Sequence, residues 1–152
     1  MELIADVRRI PMSMRNPQFN RDALPESLLS FGIAYEHMAA LGGLRGKVRS
    51  VPREINAFWT NESFHNYADY ALSKTFHDGL THLREQAQQR RTAVMCSEAV
   101  WWRCHRRIIA DHLIANGETV FHILGRGRLE PARLTAGAVI GSDGTVVYPA
   151  GE

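Results

Sequence analysis

Lysine is almost missing from this chain of 152 residues, where Lys47 and Lys74 stand against sixteen arginines. Cysteine is as scarce: Cys96 and Cys104 are the two present. Two cysteines within one short segment fall far short of a disulfide scaffold, so a reducing cytoplasm is the expected setting, with a disulfide between the two left open. No run approaches the roughly 20 apolar residues of a membrane helix, and no basic stretch leads into an apolar one at the N-terminus, so a soluble, unexported protein without a membrane partner is expected. Repeats and low-complexity tracts are also lacking.

With 45% hydrophobic residues, the chain is long enough to bury a core and too short for two full domains. The formal net charge is only +2. The arginine bias has two readings: planar guanidinium forks that suit phosphate or carboxylate ligands, or the codon usage of a GC-rich genome. Position favours the first in places. Arg8, Arg9 and Arg15 follow one expected strand, and Arg103, Arg106 and Arg107 follow another.

Leu3 to Val7 reads as a short buried strand ended by Arg8-Arg9 and Pro11. A loop with Pro17 follows, and Asn20 is a fitting N-cap for a helix to about Phe31, although Pro25 would suit a start nearer Leu24. Ile33 to Met38 alternates as a second strand, with Gly42-Gly43 after it. From Asn61 or Ser63 onward the apolar spacing is helical, with a break expected near Ser73 to Thr75. Thr92 to Cys96 is the third expected strand, Arg103 to Ala115 a helix stopped by Asn116-Gly117, and Thr119 to Leu124 the fourth strand. The alternation implies an α/β fold: a single domain with a mostly parallel sheet of about four strands and helices on both faces. Residues 1–131 would form that domain. Residues 132–152 would add a small C-terminal β-hairpin turning at Asp143-Gly144.

Chemistry concentrates between Met95 and Arg107, where both cysteines, Glu98, His105 and three arginines fall at the expected junction of strand and helix, the usual place for ligand sites in open α/β proteins. Cys104 would lie in the first helical turn, where unpaired amides and adjacent cations stabilise an anionic sulfur; Cys96 would end the strand. Core packing explains a cysteine equally simply. On a regular helix the side chains of Cys104 and His105 diverge, so they are not assumed to form a thiol and its base. Glu98 could orient an imidazole or accept an arginine, and Trp101 and Trp102 could wall the site or stack a base. A phosphatase loop fails, because six residues, two of them tryptophan, separate Cys96 from Arg103. A thioredoxin-type motif fails, because seven separate the cysteines. Zinc on Cys96, Cys104 and His105 is a lesser alternative, lacking the closely paired cysteines and the evident fourth ligand of structural sites.

Other residues are candidates for substrate binding. Asp6 and Arg8 share one side of their strand and would hold a sugar hydroxyl and a phosphate, or simply each other. Arg15, Asn16 and Asn20 offer amide and guanidinium donors from one loop. Tyr67 and Tyr70 share a helix face and could flank a planar ligand, as could Trp102, with Arg103 and Arg106 holding its charge.

MCSEAVWWRCHRRIIADHL followed by ILGRGRLEP resembles the bacterial and archaeal domain-of-unknown-function 488 family, and DVRRIPMSMRNPQFN, YEHMAALGG and FHNYADYAL resemble its other motifs. The resemblance spans about Ala5 to Pro131 and implies an α/β domain with a site built from these motifs; it brings no established activity. Members usually begin with a further strand, carrying Gly-His-Ser, and a helix. Here Met1 lies five residues before Asp6, so the resemblance implies an incomplete sheet, an exposed edge or a strand borrowed in a homodimer.

Three functions are therefore expected in order. The first is a thiol-dependent transferase or hydrolase acting on an anionic substrate, nucleotide or nucleic-acid-derived, with Cys96 or Cys104 working with Glu98 and His105 and needing no cofactor. The second is a module that binds single-stranded nucleic acid, its cysteines structural, against which the small net charge argues. The third is a zinc protein.

Overall fold

A computed structural model describes residues 1–151, which form two compact units. The first comprises residues 1–43 and 78–97, the second residues 44–77 and 98 onward.

The first unit is built on a three-stranded parallel sheet of β1 (Leu3–Asp6), β2 (Ala34–His37) and β3 (Thr92–Met95) in the order β2-β1-β3. β1 is central, with Leu3 opposite Ala34 and Thr92, and Asp6 opposite His37 and Met95. Central parallel strands are covered on both faces and so read as apolar runs. Leu3, Ala5 and Val7 are fully buried, with Met38, Leu41, Leu80 and Leu83 also in the core. Strand order reverses beside β1, so the carboxyl ends of β1 and β3 form the switch point where open sheets bind ligands. Helix α1 is only Leu24–Leu29. The expected longer helix capped by Asn20 does not form, because the Asn20 side chain instead accepts the Ser13 amide and Pro25 sits at the first helical turn.

Residues 78–89 of helix α3 (Lys74–Gln89) belong to the first unit. Within the first unit, a Cβ on Gly79 would lie 2.7 Å from the Ala40 Cβ. Gly79→Ala should therefore destabilise the protein by about 1 kcal/mol, because overpacking outweighs the gain in helix propensity. A lower urea midpoint would show it.

In the second unit, α2 (Glu62–Tyr70) starts at Asn61, whose side chain accepts the Ser63 and Phe64 amides at 2.9 and 3.3 Å. The expected break before α3 is present, and the Ser73 hydroxyl accepts the Phe76 amide at 3.2 Å. α4 (Arg106–Ala115) ends on Gly117 at φ +87, with the Glu118 amide reaching back to Leu113. Trp59 stacks on Phe64 and meets Tyr148 edge-on, and Tyr148 is fully buried. The Tyr148 hydroxyl donates to Asp111 at 2.7 Å and its amide to Asn56 at 2.9 Å, while Asn56 donates to Asp69 at 2.7 Å. The C-terminal residues thus supply core as well as the short hairpin β6 (Val139–Ile140) and β7 (Val146–Val147), whose turn places Gly144 at φ +80.

Among the described residues the expected fourth parallel strand does not form. β4 (Phe121–Gly125) pairs antiparallel with β5 (Arg128–Pro131), because Gly127 at φ +69 folds the chain back at once. The parallel sheet has three strands.

Candidate active site

In the second unit, a 3-10 turn at Trp101–Arg103 precedes α4, and Cys104 between them is extended at φ −122, ψ 150. Cys104 therefore stands just before the helix rather than in its first turn, and His105 is the capping residue. This break in the backbone overturns the expectation that the two side chains diverge: Cys104 Sγ and His105 Nδ1 are 3.5 Å apart. The Arg106 amide and Nε donate to the same sulfur at 3.4 and 3.3 Å, and another amino group of Arg106 donates to the Glu98 carbonyl. A cation and the start of a helix thus face the Cys104 sulfur, which is 4% exposed. The His105 ring packs 4.9 Å from Tyr67, which is tilted against Tyr70, and Arg45 lies 3.9 Å above the Tyr70 ring.

Other candidates of this unit stand apart from that chemistry. The exposed Glu98 carboxylate accepts the Val100 amide at 3.3 Å, a local cap. Trp102 is 48% exposed and meets Trp101 edge-on, and Arg103 is exposed beside it.

In the first unit, Asp6 and Arg8 make a buried ion pair. Arg8 donates to the carboxylate from its amide at 3.0 Å, from Nε at 2.9 and 3.1 Å and from a terminal nitrogen at 2.7 Å, and Tyr35 adds a bond at 2.5 Å. Arg8 also donates to the Phe19 carbonyl at 2.6 Å, and His37 Nε2 lies 2.7 Å from the Arg8 carbonyl. Burial alone would raise the Asp6 pKa, but the Arg8 and Tyr35 bonds outweigh it and hold the carboxyl below its usual range. Burial and the neighbouring carboxylate push Tyr35 up to about 12. Arg15 and Asn16 are exposed, Asn20 is spent on the Ser13 amide, and the half-buried Cys96 follows β3 at the switch point.

Residues 1–113 match the family described as Domain of unknown function DUF488. The chain belongs to that family. The DUF488 match takes in the Asp6 ion pair, α2 and the whole Cys104 segment, and leaves β4 to β7 outside it, including the ILGRGRLEP stretch of the resemblance. No curated protein and no solved structure matches the chain significantly. No helix among the described residues is long and apolar enough to cross a membrane.

Sequence reasoning missed several residues around these groups. Tyr35 completes the Asp6 ion pair, and its signal is the alternation of β2, which puts Tyr35 and His37 on the same side, toward Asp6 and Arg8. Asp111 and His112 are read from the sequence only as helix, and Arg107 only as one of three arginines after the third strand. No local pattern marks them, because their partners are distant in sequence.

Proposed function

We propose that this protein is an enzyme in which the Cys104 sulfur attacks an electrophilic centre of an anionic substrate. His105 takes the thiol proton and returns it to the departing group, and water then releases the bound product in a hydrolase, or a second nucleophile in a transferase. Arg106 serves twice: it stabilises the sulfur anion and supplies positive charge for the substrate. The single observation that carries this reading is the convergence of His105 Nδ1 and two Arg106 donors on Cys104 Sγ. A nucleotide or nucleic-acid fragment suits the half-buried Tyr70 ring, whereas Tyr67 is fully buried behind it and serves the core rather than flanking a ligand.

Native and denatured masses of the purified full chain test the role of Cys104. The thiol reading expects no metal on the folded protein. One zinc per chain, lost in Cys104→Ser, would contradict it by making Cys104 and His105 ligands. A second reading, binding of single-stranded nucleic acid, is favoured by the exposed Trp102 beside the exposed Arg103. Affinity for an oligonucleotide that falls steeply with salt and is lost in Trp102→Ala would favour it over catalysis.

A further inference from the structure

The second unit holds a cavity of about 200 Å³ lined by Trp101, Arg107, His122, Glu130, Arg133 and Thr135 among others. Most of this wall lies beyond the DUF488 match, while Trp101 and Arg107 lie within it. Its polar groups are unevenly satisfied. Arg107 Nε donates to the buried Thr135 hydroxyl at 3.1 Å, and its guanidinium lies 5.1 Å above the Trp59 ring, so the head group is oriented. The terminal amino groups of Arg107 make no hydrogen bond among the described residues, and Arg133 makes neither a hydrogen bond nor an ion pair there. Behind the cavity wall, the buried Trp101 Nε1 has no hydrogen-bond partner among the described residues, which a folded protein rarely tolerates. Trp101 and His122 stack face to face at 3.9 Å and 4°, giving a flat wall, and burial keeps the His122 imidazole biased toward its neutral form. Glu130 on the wall opposes the two arginines, and the buried Asp111 carboxyl also feels the Arg107 charge.

We infer that this cavity binds a small oxyanion, a carboxylate or phosphate compound whose charged end is held by Arg107 and Arg133 and whose body lies against the Trp101–His122 stack. The cavity is below the ~300–1,000 Å³ of drug-sized sites, so the ligand is compact. Paired guanidinium groups recognise carboxylate and phosphate by charge-assisted hydrogen bonds. The site is separate from the thiol chemistry of Cys104 and stands or falls without it.

Titration of the ¹⁵N-labelled full chain with inorganic phosphate, and separately with benzoate, tests this by following the Trp101 indole and Arg107 Nε signals. Saturable shifts of both signals are expected with at least one probe, while the Trp102 indole stays still. Saturation by phosphate alone would identify a phosphate site, and saturation by benzoate a planar carboxylate site. Arg133→Gln, at an exposed position without internal partners, should weaken binding about tenfold. Arg107→Gln should abolish it. Absence of saturation with both probes, or an affinity unchanged in Arg133→Gln, would overturn the inference.

Discussion

Arg8→Met should destabilise the protein by about 3–5 kcal/mol, the usual cost of leaving a buried charge without its partner. Asp6 has no exposure, and three of the five hydrogen bonds its carboxylate accepts come from the Arg8 side chain. Methionine keeps the stem volume and the backbone amide bond but removes every guanidinium donor, including the one that holds the Phe19 carbonyl. The double variant Asp6→Asn/Arg8→Met should recover part of the loss, since the orphaned charge is then gone as well. Urea unfolding of the two single variants and the double variant measures the coupling. A loss below about 1 kcal/mol in Arg8→Met would mean that the pair does not secure the end of β1. The same pair sets an acid limit. Because the folded Asp6 pKa lies below its ordinary value of 3.8, its contribution is complete above that value and is lost as pH falls through the lower folded one.

Stability should begin to fall at a much milder pH because of His112. This imidazole is fully buried near Phe76 and His77, and neither of its ring nitrogens has a hydrogen-bond partner among the described residues. Burial, reinforced by the charge of His77, pushes its pKa down from 6.5 to about 3. Between those values the unfolded chain takes up a proton that the folded one refuses, so each pH unit below 6.5 costs about 1.4 kcal/mol. Asp111 acts in the opposite sense. Its burial outweighs the Tyr148 and Thr135 bonds and raises its pKa, so the folded state binds a proton before the unfolded one and gains as pH falls from that raised value toward 3.8. His112→Phe isolates the histidine. The loss of stability from pH 7 to pH 5 should shrink by roughly 2 kcal/mol in the variant, and removal of two unsatisfied nitrogens should stabilise it even at pH 7. Parallel pH profiles for the two proteins would show that His112 is solvated or paired.

What could be read from sequence followed from local patterns. The three parallel strands, the Asn61 start of α2, the break at Ser73 and the Gly117 stop all rest on periodicity or capping chemistry within a few residues. The fourth strand failed because an apolar run pairs as readily with a hairpin neighbour as with a parallel sheet, and Gly127 decided the matter. Cys104, His105 and Arg106 stood out by residue type, yet their convergence did not. It depends on the extended backbone at Cys104, which no propensity in Trp101-Trp102-Arg103 specifies. Asp111 was invisible as a buried acid because Thr135 and Tyr148, which hold it, lie 24 and 37 residues further on. Glu98 was credited with orienting an imidazole, and its carboxylate caps the next turn of chain instead.

The catalytic account rests on whether the Cys104 thiol reacts in the folded protein. In a Cys96→Ser background, intact mass would be followed during exposure to iodoacetamide without denaturant. The account predicts a single adduct on Cys104, formed at least about tenfold more slowly when His105→Gln removes the proton acceptor or Arg106→Gln removes the cation. A thiol that stays unmodified until urea is added would contradict it and make Cys104 an inert core residue.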